Sequence, residues 1–157
     1  MVPHPPPIVS DTLALALVAS STAPLLLLNR DLAVVSASAS FCRVFQIDPA
    51  TIAGKSFPAI GAGEWNAPQL ISLLTATAAG YANVADYEME LKRKGQPARC
   101  LVINAHKLDY GDSAEIRLVL SIADITDARA AALLKEKLVQ EKEVLMQELH
   151  HRVANSL

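Results

Sequence analysis

The stretch Ala85-Asp-Tyr-Glu-Met-Glu-Leu-Lys-Arg93 decides the fold, because its apolar and charged side chains alternate. Apolar residues at every second position predict a strand with one buried face. Lys94-Gly95 supplies a turn, and Ala98–Lys107 alternates in the same way. A loop at Asp109–Asp112 precedes a third strand, Glu115–Ala123. The three strands predict part of an antiparallel sheet.

Two further strands lie upstream of these three. Pro24–Asn29 and Leu32–Ser36 are separated by Asn29-Arg30-Asp31, which has the side chains of a tight turn. The continuous apolar run Leu25–Leu28 predicts a strand that is buried on both faces.

Short helices are expected between the second and third strands. The first short helix is expected at Ala39–Gln46. A second helical turn is expected to begin at Asp48-Pro49 and to end at Gly54. Lys55–Pro68 is expected to be loop, and Pro68–Ala79 a longer helix ending at Gly80. The order predicts an α+β domain, with a five-stranded antiparallel sheet and helices on one face.

The first residues are rich in proline. Met1–Val9 is expected to be an extended tail, and Ser10 or Asp11 to cap a short helix through about Ser20. The helix carries an apolar stripe of Leu13, Ala14, Leu17 and Val18. Packing on its own domain and a contact with a second copy both explain this stripe, and we expect a mixture of the two.

The composition changes after Asp127 to Ala, Leu, Lys, Glu and Gln, without Gly or Pro up to Leu157. A continuous helix here spans about 45 Å. Its leucines form a seam spaced roughly as a and d positions: Leu134, Leu138, Leu145 and Leu149. We expect a parallel two-stranded coiled coil and a homodimer; a single helix docked on its own sheet, or a frayed tail, is the alternative.

Two adjacent histidines end this helix. Glu148 and Asn155 lie three and four residues from His151, so all three share one helical face. A carboxylate and an amide beside an imidazole can fix its orientation and tautomer, as a nucleophilic histidine requires. A lone histidine on a charged helix is more often only a solvated side chain. His150 points elsewhere, so the pair makes a poor site for one metal ion, and no metal site is expected.

Composition limits the function classes. The chain has 157 residues and a net charge of −2, which does not favour nucleic acid or an anionic membrane. Cys42 and Cys100 have no metal or redox spacing and suit packed thiols in a reducing compartment. The apolar run Leu13–Leu28 is too short and interrupted to span a bilayer, and Met1–Pro7 is no signal peptide. We expect a cytoplasmic location; a membrane segment elsewhere in the parent protein stays open.

Residues 22–126 resemble the PAS sensor fold. The resemblance rests on Leu25-Leu-Leu-Leu-Asn-Arg-Asp31, on Phe41–Phe57 with its Asp-Pro-Ala-Thr-Ile-Ala-Gly-Lys-Ser-Phe, and on Asp124-Ile125-Thr126. The last tripeptide commonly closes a PAS domain and starts an outgoing helix, and Asp124 with Asp127 resembles an acidic capping pair. The resemblance implies three parts: residues 1–21 as tail and short helix, 22–126 as PAS domain, and 127–157 as a signalling helix.

The last ten residues, Glu148-Leu-His-His-Arg-Val-Ala-Asn-Ser-Leu157, resemble the phosphoacceptor box of sensor histidine kinases with a Glu-x-x-His-Arg-x-x-Asn pattern. The resemblance implies that His151 is phosphorylated, with His150 as second choice, and that Glu148 and Asn155 assist it. Many members carry Lys at the position of Ala154, so a role for that lysine is absent. The family uses ATP and passes the phosphoryl group to a response regulator. The chain contains no glycine-rich nucleotide site, so this fragment is not expected to phosphorylate itself.

A PAS cavity holds a flavin, a haem, a metabolite or nothing in different members. Phe41-Cys42-Arg43 echoes the cysteine motif of flavin-binding light-oxygen-voltage domains, but the matching position is Phe57, so no flavin–cysteinyl adduct is expected. No histidine lies on the longer helix, and His106 is expected at the surface, so haem is not expected. Trp65 either lines a pocket or covers the core. No cofactor is identified.

The sequence therefore predicts the sensory and dimerisation portion of a two-component sensor histidine kinase. A signal sensed by the PAS domain would pass through the coiled coil to His151. The alternative is a PAS homodimer that serves as a ligand-binding or protein-interaction module without kinase activity. The stimulus, the response regulator, and phosphorylation within or between subunits stay open.

Overall fold

The computed structural model describes residues 7–108 and 115–156, and for residues 7–11 it describes only the backbone. The chain divides into two compact units after Asp124. The expected loop at residues 109–112 and most of the expected tail lie outside the described residues. The elements of the first unit are α1 (Pro7–Ser20), β1 (Leu25–Asn29), β2 (Val34–Ala37), α2 (Ala39–Phe45), α3 (Pro49–Ile52), α4 (Pro68–Ala78), β3 (Val84–Leu91), β4 (Arg99–Leu108) and β5 (Arg117–Asp124).

The five strands form one antiparallel sheet in the order β2-β1-β5-β4-β3. This confirms the predicted α+β class and the five-stranded antiparallel sheet, in which the last three strands pair in chain order. A bulge interrupts the β3–β4 pairing between Val84 and Tyr87. Asp86 in this bulge has a φ of +50°, and its backbone N–H donates to Oδ1 of Asn104 at 2.8 Å. The amide of Asn104 thus replaces the bond that the regular ladder loses there.

The β1–β2 connection is longer than the sequence predicted. Oδ1 of Asn29 accepts the backbone N–H groups of Asp31 and Ala33, each at 2.9 Å. Leu32 adopts a φ of +63°, which a regular strand does not continue through, and its side chain is buried in the core. The prediction that the second strand begins at Leu32 was therefore wrong, and β2 begins at Val34.

The main core lies between one face of the sheet and the helices α2, α3 and α4. The alternation seen in the sequence is confirmed, because β4 buries Leu101, Ile103 and Ala105 and leaves the residues between them half-buried. Ser38 fixes the start of α2: its Oγ accepts from the N–H of Phe41 at 3.1 Å and donates to the carbonyl of Ala23 at 3.0 Å. A buried serine with both roles ties this helix to the residues before β1.

Helix α1 covers the opposite face of the sheet. It begins at Pro7, so the expectation of an extended tail through Val9 was wrong for its last residues. Proline fits the first helical position because its missing N–H has no intrahelical partner there. Ala14 and Val18 pack with Leu27, whose neighbours in β1 face the main core. The prediction that β1 is buried on both faces is confirmed, and helices lie on both faces of the sheet near it.

An aromatic cluster fills the centre of the main core. Trp65 is fully buried, and its ring centroid lies 5.1 Å from that of Phe45, 5.7 Å from that of Phe41 and 5.8 Å from that of Phe57. Such separations suit tilted and edge-to-face aromatic packing. Phe57 begins a short 3-10 helix, Phe57–Ala59, inside a segment that the sequence predicted as loop only. Trp65 thus belongs to the core itself.

Replacing Trp65 with alanine should destabilise the protein by about 3–5 kcal/mol, because the change empties the middle of a packed cluster. Urea denaturation followed by circular dichroism measures the free energy of unfolding. Tyr81→Ala is the control, since Tyr81 is 89% exposed and should change stability by less than about 0.5 kcal/mol. A loss below about 1 kcal/mol for Trp65→Ala would contradict the packing described here.

Cys42 is buried on α2 as a free thiol. Burial raises the pKa of the Cys42 thiol above its ordinary value of 9.0, and the charge of Asp48 raises the pKa further. A thiol with a raised pKa carries little thiolate near neutral pH and is a poor nucleophile. Because the folded-state pKa is the higher one, the thiol's contribution to stability is complete below about pH 9 and declines as the pH rises towards the folded-state pKa.

In a Cys100→Ser chain, iodoacetamide should therefore alkylate Cys42 at least about tenfold more slowly in the folded state than in urea. The rate of mass increase measures this protection. A chain with Cys42→Ser identifies the contribution of Cys100. Equal rates for Cys42 with and without urea would contradict its burial.

Candidate functional site

The second unit is one helix, α5 (Thr126–Asn155), of 30 residues. At the rise of an α-helix it spans about 45 Å. Leu, Ala, Lys, Glu and Gln favour a helix, and no glycine or proline interrupts it. Near its C-terminus the backbone N–H of Ser156 donates to the carbonyl of Arg152 at 3.0 Å. The predicted continuous helix is confirmed.

The start of α5 differs from the capping pair that the sequence suggested. The residue at the N-cap position is Ile125, whose side chain makes no cap hydrogen bond. Asp124 instead closes β5, and its Oδ2 accepts from Nε of Arg99 on β4 at 2.7 Å. The structure therefore places Ile125, one residue after Asp124, at the N-cap position, and the Asp124 carboxylate pairs with the neighbouring strand.

Every residue of α5 from Asp127 onward is exposed, including its large apolar side chains. The leucines of the predicted seam are each more than half exposed: Leu134, Leu138, Leu145 and Leu149. Leu134 and Leu138 recur as Leu145 and Leu149 after eleven residues, a spacing that keeps an apolar stripe on one side of a nearly straight helix. No other part of the described chain packs against this apolar face of α5.

The four candidate site residues all lie in the last two turns of α5. Glu148, His151 and Asn155 occupy one face, since the helix is continuous across them, and His150 projects about 100° away from His151. All four side chains are exposed. Within the described residues no hydrogen bond or ion pair joins His151 to Glu148 or Asn155. The structure thus brings these side chains to one accessible face without fixing their contacts.

The structure also bears on the cofactors that were considered. Phe57, the position that matches the reactive cysteine of light-oxygen-voltage domains, is fully buried against Trp65. Trp65 also packs against Phe41 and Phe45 of α2 in the main core. His106 is exposed on β4, as predicted. Among the described residues no cluster of three or more His, Cys, Asp or Glu side chains is arranged to hold a metal ion.

One surface feature escaped the sequence analysis. A cleft of about 570 Å³, here called the hairpin cleft, lies between the end of α2, the Gly61–Glu64 turn and the β3–β4 hairpin. The hairpin contributes the consecutive cations Lys92, Arg93 and Lys94. In the sequence, the only sign of this cleft is a run of three basic residues beside a turn. The strand pattern does not distinguish such a run from the solvated side chains of an ordinary hairpin.

The described helices include none that is both long enough and apolar enough to cross a membrane. No curated protein matches the chain. A family model described as PAS fold matches residues 18–130.

Three solved structures resemble the chain in fold. The PAS domain of BvgS from Bordetella pertussis is 16% identical with a TM-score of 0.59, and the alignment covers 85% of this chain and 98% of that one. A LOV protein from Rhodobacter sphaeroides is 16% identical with a TM-score of 0.58, over 73% of this chain and 66% of that one. A PAS domain from a two-component sensor histidine kinase is 8% identical with a TM-score of 0.52, over 74% and 97%.

These likenesses establish the fold alone, whereas the family model covers more than half of the chain. The sheet order, the helices packed on its main face and the matched residues 18–130 agree with one another. The chain belongs to the PAS fold family.

Proposed function

We propose that the PAS domain and α5 form the sensory and dimerisation portion of a two-component sensor histidine kinase, with His151 as the phosphoacceptor. The observation that carries the proposal is the exposed face on which Glu148, His151 and Asn155 lie together. An imidazole that accepts a phosphoryl group must be reachable by ATP held on another domain. A position near the end of an uncovered helix meets this requirement.

The proposed chemistry uses His151 as a nucleophile. One ring nitrogen attacks the γ-phosphorus of ATP, the bond to the oxygen that bridges the β- and γ-phosphates breaks, and ADP leaves. The proton on the other ring nitrogen passes to the carboxylate of Glu148, which also orients the ring. Asn155, one turn further on, positions the ring from its other side. The phosphoryl group then moves to an aspartate of a response regulator.

The same proposal includes a homodimer formed through α1 and α5. In α1, Leu13 and Leu17 are each 61% exposed and border an apolar groove of about 400 Å³ beside the sheet. In α5 the leucine seam is exposed along its length. A helix with an apolar stripe gains stability by burying that stripe against a partner helix. A second copy that pairs in parallel places the two His151 side chains at the same level.

A cytoplasmic location follows from the proposal, because ATP and response regulators are found there. The expected partners are a second copy and a response regulator, without nucleic acid. The competing function is a PAS homodimer that binds ligands or proteins and has an inert C-terminal box. The exposed leucines support both functions, so phosphorylation is the discriminating test.

Phosphoryl transfer should be measured in a longer form of the protein that carries an ATP-binding domain, with ATP labelled on the γ-phosphate. His151→Ala should abolish the acid-labile label, because it removes the attacking nitrogen. His150→Ala is the matched control, since it changes the neighbouring imidazole on another face and should retain most of the label. Glu148→Gln should slow labelling by about 10²–10⁴-fold if the carboxylate takes the proton.

Loss of label in His150→Ala with retention in His151→Ala would reassign the phosphoacceptor. Absence of label from the unaltered protein, with the ATP-binding domain shown to bind ATP, would contradict the kinase proposal. The interaction-module function would then replace it.

The dimer has its own test in light scattering of the chain. Leu138→Gln with Leu149→Gln should turn the dimer into a monomer, because glutamine keeps helix propensity but cannot bury an apolar seam. The control exchanges Glu136→Gln with Gln147→Glu on the opposite side of α5, which preserves the net charge. A monomeric unaltered chain, or a dimer that the seam variant leaves intact, would contradict pairing through α5.

A further inference from the structure

Within the part of the chain that the structure describes, the Arg93 guanidinium in the hairpin cleft has no anionic partner. Arg93 follows β3, and its Nη1 donates to the backbone carbonyl of Phe45 at 3.3 Å. Its Nε is buried and has no hydrogen-bond acceptor among the described residues. A buried donor without an acceptor costs free energy, and the cost is larger when the donor carries charge. The arginine is therefore anchored to α2 through Nη1, and because Nε is buried, the donors left for a ligand are Nη2 and the second N–H of Nη1.

The opposite wall of the cleft already holds a carboxylate. Oε2 of Glu64 accepts the backbone N–H of Ala62 at 2.7 Å. Gly61 and Gly63 both have positive φ, +66° and +93°, and a Cβ at Gly61 would overlap the carboxylate of Glu64. Alternating backbone conformations of this kind turn N–H groups towards an anion. The turn is thus shaped around a carboxylate supplied by its own chain.

The charge of the cleft contrasts with that of the protein. Lys92, Arg93 and Lys94 line it against the single carboxylate of Glu64, whereas the whole chain carries a net charge of −2. An exposed side-chain hydrogen bond from Nε2 of Gln96 to Oε1 of Gln46, at 2.8 Å, links the hairpin to the residue that follows α2. The cationic groups are therefore grouped around one concave surface.

We propose that the hairpin cleft binds a small organic polycarboxylate, with Arg93 as its anchor. The outer edge of a guanidinium, between Nη1 and Nη2, matches a carboxylate in geometry and can give two parallel hydrogen bonds. Lys92 and Lys94 supply charge for a second carboxylate of the same ligand. A volume of about 570 Å³ admits a molecule of this size. The ligand competes with the carboxylate of Glu64 for the Gly61–Gly63 turn.

This site differs from the packed interior of the domain, because Trp65 and its phenylalanine neighbours fill that interior. It is also independent of the proposed phosphoryl transfer. Binding needs neither ATP nor His151, so the site and the kinase proposal can fail separately.

The test is calorimetric titration of the purified chain with citrate and with succinate, and with inorganic phosphate for comparison, at physiological ionic strength. Citrate should bind most tightly, because it presents three carboxylates to three cations. Arg93→Gln should weaken citrate binding at least about tenfold, since it removes a charged bidentate donor. Arg30→Gln is the matched control: it removes the same charge from the β1–β2 turn and should leave the affinity within about twofold.

Glu64→Gln provides a second variant that keeps the proposal testable if Arg93→Gln does not fold. It removes the competing charge while its amide oxygen still accepts from Ala62, so citrate should bind more tightly. In nuclear magnetic resonance spectra, citrate should shift the amides of Gly61, Gly63 and Gly95 more than that of Gly54. Any of three results would overturn the proposal. Citrate would bind no more tightly than phosphate, Arg93→Gln and Arg30→Gln would weaken citrate binding equally, or the amide shifts would be centred away from Gly61, Gly63 and Gly95.

Discussion

The contact of the Trp65 indole with three phenylalanine rings holds the first unit together. Phe41 and Phe45 lie on α2 and Phe57 starts the 3-10 helix, so one side chain joins two helical segments and the turn that carries it. Nε1 of Trp65 has no acceptor among the described residues, which costs about 1–3 kcal/mol. Burial of a full indole and its aromatic contacts offset that cost.

This packing has consequences for how the domain can recognise a ligand. Trp65 and the three phenylalanine rings pack together in the interior of the domain. The same turn that brings Trp65 inward also places Gly61–Glu64 at the surface beside Arg93. Core packing and the hairpin cleft therefore depend on one short segment. A ligand that displaces Glu64 would act on the residue next to the central side chain of the core.

The sequence predicted the parts of the fold that follow from local patterning. The alternation of apolar and polar residues predicted β3 and β4. The apolar run Leu25–Leu28 predicted a strand buried on both faces, and the composition after Asp127 predicted α5. The misplaced boundaries depend on single backbone conformations or distant partners. Leu32 adopts a left-handed backbone conformation in the turn that Asn29 holds, and the Asp124 carboxylate pairs with Arg99, a residue of the neighbouring strand that local patterning does not reveal.

The candidate site divides in the same way. A shared face for Glu148, His151 and Asn155 follows from helical periodicity alone, whereas the role of His151 rests on a resemblance that the fold does not address. Arg93 was invisible in the sequence for a physical reason. Whether the Arg93 guanidinium has a partner depends on the residues packed around it. Those residues belong to α2 and to the Gly61–Glu64 turn, about thirty to fifty residues away in the sequence.

The central claim, that Trp65 is the packed centre of the domain, has a direct test because the chain contains one tryptophan. Its fluorescence emission reports this side chain alone. The account predicts blue-shifted emission from the folded chain and weak quenching by acrylamide, with both changing only when the protein unfolds. Emission typical of a solvated indole, or full quenching in the folded state, would contradict it.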